Sequence, residues 1–144
     1  MLQDVADEDF EVEVKFDSKG TLTYQGQGII VQEDSDTYLR FDIIFDSDQT
    51  RVYWGYFDGG SLTGNGSLAV PNSPPYLRVK RTGDSWEYRY SMNGADWTTA
   101  VTFSQTLFVS KMGVFFSNTG KLGFWDSPLF VGNIDYFLNT GAPI

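Results

Sequence analysis

Two kinds of side chain in this sequence come closest to doing chemistry: carboxylates and aromatic rings. The acids recur in pairs. Glu11 and Glu13 stand at i and i+2 of the alternating run "FEVEVKF", and Asp42 and Asp46 punctuate "FDIIFD". Residues i and i+2 of a strand share a face roughly 6.5–7 Å apart. Two carboxyls about 5–5.5 Å apart are what retaining glycoside hydrolysis requires. "EVEVK" has no third acid beside its pair, and Asp42 and Asp46 have none between them, so a solvated strand face accounts better for Glu11 and Glu13. Closely spaced acids also fill two loops, "QEDSDT" (32–37) and "DSDQ" (46–49). There Glu33, Asp34, Asp36, Asp46 and Asp48 have the hard oxygen chemistry of a structural calcium site, though neither loop has the glycine and terminal glutamate of an EF-hand. Turn-forming aspartate is the plainer explanation.

Aromatic residues make up 17% of the 144 positions, with 4 Trp, 8 Tyr and 12 Phe. That is more than one core needs, and some of these rings are expected near the surface. An aromatic face beneath the C–H side of a sugar ring, with carboxylates, amides and arginines reaching the hydroxyls, makes a saccharide site. Two stretches have that mixture. In "RVYWGYFDGG" (51–60), Tyr53 and Phe57 alternate with Trp54 and Tyr56, so one pair faces the core and the other can form a platform beside Asp58. In "SNTGKLGFWDSP" (117–128), Trp125 sits in a glycine-rich loop, where it either meets a ligand or plugs the open end of the fold. Trp97, Arg40 and Asn93 complete the set of candidate ligand residues. Tyr38, Arg40 and Asp42 share a strand face that Arg78 and Lys80 are expected to extend, as a polar groove or as a wet cross-strand charge lattice.

The composition removes other chemistries. There is no histidine and no cysteine, which excludes Ser-His-Asp and Cys-His catalysis within this chain and disulfides with it. The formal charge of −9 argues against nucleic acid, whose binding needs a basic stripe, and against anionic membranes. No apolar run approaches the ~20 residues of a membrane span. The start, "MLQDVADEDFEVEV", lacks the basic and apolar regions of a signal peptide. One domain over 1–144, excised from a larger extracellular or cell-surface protein, is expected.

The elements that must position these residues are strands. Period-two alternation or short apolar runs mark residues 10–16, 28–33, 38–45, 51–57, 66–70, 76–82, 85–91, 97–103, 111–117 and 133–138, with turn residues between them. Trp86, Tyr88 and Tyr90 share one face and are assigned to the core. Residues 104–110 read as a short turn or helix. The pattern is all-β, a two-sheet antiparallel sandwich. Within it "YSMNGADWTT" (90–99) has the outline of the Asp-box repeat of sialidases, but it occurs once. Asn93-Gly94 between two strands reads as a hairpin turn.

Read together, "DFEVEVKFDS", "QGQGIIVQEDSDTYLRFDI", "PYLRVKRTGDSWEYRYSMNGADWT", "KMGVFFSN" and "IDYF" resemble the concanavalin A-like lectin/glucanase superfamily. The likeness is greatest to the accessory β-sandwich at the C-terminus of bacterial family 43 β-xylosidases and to related secreted modules. The resemblance implies a jelly roll and a carbohydrate-related role. Hydrolases of that superfamily carry an E-x-D-x-x-E-like run that is not matched here, so a non-catalytic, lectin-like module binding an oligosaccharide or polysaccharide is expected. A structural or protein-interaction spacer is the alternative, and a glycoside hydrolase the second. Neighbouring domains of the parent chain are the other expected partners. The family usually has strand sequence before the "FEVEVKF" element; the jelly roll is therefore expected either to lack an N-terminal edge strand or to take it from another segment.

Overall fold

The computed structural model describes residues 2–18, 25–46, 49–118 and 133–140. Within them the chain forms eleven strands: β1 (Leu2–Asp4), β2 (Phe10–Phe16), β3 (Gln25–Gln32), β4 (Tyr38–Asp46), β5 (Gln49–Asp58), β6 (Ser61–Val70), β7 (Tyr76–Thr82), β8 (Ser85–Ser91), β9 (Trp97–Ser104), β10 (Lys111–Asn118) and β11 (Ile134–Asn139). They make two antiparallel sheets. One has six strands in the order β1-β10-β3-β4-β5-β6, the other five in the order β11-β2-β7-β8-β9.

Alternation decides which side chains meet between the sheets. Phe10, Val12, Val14 and Phe16 of β2 are buried, as are Leu39, Phe41 and Ile43 of β4, Leu77 and Val79 of β7, and Trp86 and Tyr88 of β8. Phe41 is the hub. Its ring meets Tyr88 edge-on at 5.2 Å and lies at 6.2–6.3 Å from Phe103 and Trp86. The two polar atoms that come in with these rings are paired. Trp86 Nε1 donates to the Gln105 carbonyl at 2.8 Å, and the Tyr88 hydroxyl donates to the Asp42 carbonyl at 2.9 Å. A buried N–H or O–H left unpaired costs about 1–3 kcal/mol, so these bonds let large aromatics fill the centre.

Three elements differ from expectation. Leu2–Asp4 pair with β10 and cover the edge of the six-stranded sheet. The chain thus supplies from its own start a strand that alternation over three residues does not reveal. β6 begins at Ser61 rather than 66, because nine residues of β5 pair with it through the low-propensity stretch Gly64-Asn65-Gly66 and past a register shift between Tyr56 and Phe57. Residues 105–110 are neither helix nor tight turn but an extended strap. Leu107 and Val109 are buried and Phe108, between them, is 71% exposed.

The strap is held by Arg81. Its guanidinium donates to Asp7 Oδ1 at 2.5 Å, to the Leu107 carbonyl at 3.0 Å and to the Gly83 carbonyl at 3.0 Å. Asp7 Oδ1 also accepts the Val109 N–H at 3.0 Å. The hydrogen bond from Arg81, with that of Val109, holds the Asp7 carboxyl below its ordinary value.

Candidate functional site

The six-stranded sheet carries the hairpin β5–β6 at one edge, and β6 is exposed along nearly its whole length. Trp54 and Tyr56 point inward from β5, on the same side as buried Val52. They are half-buried and pack against the margin of the core, where Trp54 meets Tyr88 edge-on at 6.5 Å. Opposite them on β6 stand Gly64 and Gly66, which have no side chains to fill the gap. The mouth between the sheets therefore stays open as a groove of about 450 Å³, lined by Trp54, Tyr56, Asp58, Thr63, Gly64 and, from the other sheet, Phe103 and Gln105. That volume lies within the range of small-ligand clefts.

The groove is acidic at one end. Burial, and then the charges of Asp58 and Glu33, push the Tyr56 phenol above its ordinary value. Asp58 ends β5, and Gly59 and Gly60 turn the chain with φ of +59° and +85°. The 33–37 loop is tied to this turn. Gly60 N–H donates to the Asp36 carbonyl at 2.8 Å, and Gly59 N–H to Thr37 Oγ1 at 3.2 Å. Asp34 Oδ1 accepts the N–H groups of Asp36 and Thr37 at 2.8 and 2.9 Å, an Asx turn, and Glu33 accepts the Phe108 N–H at 3.1 Å. Asp34 and Glu33 thus each have a structural task. Among the described residues no three His, Cys, Asp or Glu side chains group as a metal site. Asp48 and the side chain of Asp46 lie outside the described residues.

The other candidates are scattered. Trp54, Tyr56 and Asp58 come together, but on the inner side of β5; Tyr53 and Phe57 occupy the outer side expected to form the platform. Trp97 lies on the outer face of the five-stranded sheet. It is covered by the Arg78 guanidinium at 4.2 Å and met by Tyr76 at 6.3 Å. Arg78 in turn pairs with Glu13 at 2.7 Å, and Glu13 accepts a hydrogen bond from Tyr136. Trp97 closes a polar surface network rather than the core. Asn93 builds its own turn: its Oδ1 accepts the N–H groups of Ala95 and Asp96, and its Nδ2 donates to Asp96 at 2.8 Å. Ser91 Oγ accepts the Gly94 N–H at 2.9 Å, and Gly94 has φ of +79°. "YSMNGADWTT" is a self-bonded hairpin turn. Trp125 lies outside the described residues.

Arg40 and Asp42 form a pair on the outer face of the six-stranded sheet. Nη2 lies 2.5 Å from Oδ2 and Nε 3.2 Å from Oδ1. Asp42 is fully buried beneath Arg40, whose guanidinium rests over Phe115 and Tyr53 at 5.0 and 5.4 Å. Burial pushes the Asp42 carboxyl up, and the Arg40 charge pulls it back. Arg78 and Lys80, expected to extend this face, belong to β7 in the other sheet. Tyr38, Arg40 and Asp42 therefore join neither of them.

Solved structures share this architecture. A functionally unknown protein from Saccharomyces cerevisiae matches with a TM-score of 0.70 at 14% identity, over 100% of this chain and 73% of its own. The GH43 protein BlXynB from Bacillus licheniformis matches with a TM-score of 0.67 at 17% identity, over 79% of this chain and 25% of its own. A legume lectin-like domain from Entamoeba histolytica matches with a TM-score of 0.64 at 15% identity, over 78% of this chain and 65% of its own. The fold is a concanavalin A-like sandwich. At these identities the likeness is one of fold, and this chain spans about a quarter of the GH43 protein. In sequence, no family model and no curated protein matches it. Phe103, Gln105 and Gly64 are groove residues that patterning did not single out, and Gly66 lies against the Trp54 ring. Two glycines at i and i+2 opposite a tryptophan were the available signal.

Proposed function

We propose that this chain is a non-catalytic carbohydrate-binding module that takes a saccharide in the groove between β5–β6 and β9. The observation that carries the reading is the groove itself: two half-buried rings, Trp54 and Tyr56, face Phe103 across an open mouth, with Asp58 and Gln105 at hand for hydroxyl groups. Apolar walls with a few polar groups are the usual composition of a small-molecule site. The lectin-like fold supports the same reading. Among the described residues the groove lining contains one carboxylate, Asp58, where glycoside hydrolysis uses two. That supports binding without catalysis. Attachment to a neighbouring domain of a parent protein, outside the cell or on its surface, follows from that role.

The test is a glycan array with the isolated chain, repeated with Tyr56→Ala and with Phe103→Ala after circular dichroism shows both variants folded. Binding abolished in both variants is expected. A saccharide that binds all three proteins equally would place its site elsewhere. A second reading, a spacer or protein-interaction domain, is favoured by one observation: β6 is an exposed edge strand of ten residues without a charge, the kind of edge another strand can extend. A silent array together with capture of a neighbouring domain would support that reading.

A further inference from the structure

The groove has a sign as well as a shape. Among the described residues, none of those lining it is a lysine or arginine, and the one charged side chain is Asp58. No hydrogen bond or ion pair to the Asp58 carboxylate forms among the described residues. Its carboxylate is exposed at the end of β5, whereas Glu33 and Asp34 accept backbone N–H groups. Glu33 adds a second negative charge near Tyr56. The aromatic walls act in the same direction. The faces of Trp and Tyr attract cations through the ring quadrupole, and ammonium groups are recognised where such rings stand together. An acidic saccharide entering this groove would meet a carboxylate with no counter-charge. A neutral one would leave Asp58 to a hydroxyl. A ring bearing a primary ammonium group would satisfy both the carboxylate and the rings.

We infer that the groove selects amino sugars, saccharides carrying a free ammonium group, with Trp54 and Tyr56 stacking on the ring and Asp58 pairing with the charge. This rests on the groove being a saccharide site and names the class of saccharide it takes.

Titrations followed by tryptophan fluorescence test it, using the whole chain and four probes: a glucosamine tetramer, its fully N-acetylated counterpart, a galacturonate tetramer and spermine. The glucosamine tetramer is expected to bind about fivefold or more tighter than the N-acetylated one, the size of effect that a partly exposed charge pair gives. The preference is expected to vanish in Asp58→Asn and to shrink between about 0.05 and 0.5 M salt, as the Debye length falls. Asp58 lies at an exposed turn outside the core, so Asp58→Asn keeps the fold, and Tyr56→Phe provides a second variant that retains the ring. Galacturonate is expected not to bind.

Equal binding of the two tetramers, lost in Tyr56→Ala, would overturn the inference and leave the saccharide site standing. Spermine binding as tightly as the glucosamine tetramer would overturn it in favour of bare charge attraction. Absence of all binding, here and on the array, would overturn the saccharide site and the inference together.

Discussion

Trp54 lies directly against Gly66 across the β5–β6 pairing: a Cβ on Gly66 would sit 2.5 Å from Cζ2 of the indole. The glycine stands behind the groove wall and determines where the ring that forms it can rest.

Gly66→Ala is expected to displace the Trp54 indole into the mouth of the groove. The expected result is a shifted tryptophan emission, saccharide affinity weakened by about tenfold, which corresponds to roughly 1.4 kcal/mol, and an unchanged far-ultraviolet spectrum. Unchanged emission and affinity would mean that the groove does not depend on the position of the ring.

Arg40 is the counter-charge for an Asp42 that has no exposure at all. Arg40→Met leaves that carboxylate buried and unpaired, a change that costs about 3–5 kcal/mol. Without Arg40 the folded-state value of Asp42 rises further above its unfolded value. The penalty is then full at neutral pH and relaxes as the pH falls through the raised value, where Asp42 is protonated. Urea midpoints at pH 7 and pH 5 check this: the gap between variant and parent is expected to narrow at the lower pH, and a gap that widens would refute the assignment.

The pH response of Asp7 has the opposite sign. Arg81 and Val109 hold its carboxyl below 3.8. Its contribution is present above the unfolded value and is lost as the pH falls through the folded one. Asp7→Asn is expected to flatten the stability profile below about pH 4 relative to the parent, read from chemical denaturation at pH 3, 4 and 7. Parallel profiles would show that the strap over β1 and β2 owes nothing to this charge.

Asn93→Ala removes four hydrogen bonds from the β8–β9 turn. It is expected to lower stability by about 1–2 kcal/mol and to leave saccharide binding untouched. Loss of binding without loss of stability would return Asn93 to the ligand site.

Much of the fold was legible because alternation is a local signal. "FEVEVKF" announces a strand with one apolar face, and Trp86 and Tyr88 share the face that is the core; the other face of "FEVEVKF" is less wet than expected, since Glu13 is buried against Arg78 and Tyr136. The site was less legible, since which side of β5 opens to solvent depends on what the other sheet places opposite. Period two separates Trp54 and Tyr56 from Tyr53 and Phe57 but does not say which pair faces β9 of the other sheet. Arg78 and Lys80 were drawn toward Arg40 for a related reason: alternation gives a face but not the sheet. Asp42, whose spacing suggested a wet lattice, is buried because Arg40 folds over it between Tyr53 and Phe115, an arrangement of three strands that no single strand encodes.

The order of pairing in the two sheets has a kinetic consequence. β3 to β6 and β7 to β9 are meanders whose neighbours are consecutive in sequence, so their hairpins close over short loops. β10 must return to β3, and β11 to β2, across most of the chain. Such non-local closures set the pace of β-sandwich folding, on a scale of milliseconds to seconds. During synthesis the meanders can associate while β2 and β3 still lack their outer partners. The nascent domain therefore carries an open edge on β3 until the residues of β10 have left the ribosome and one on β2 until those of β11 have, and that interval is when it most needs protection from other strands.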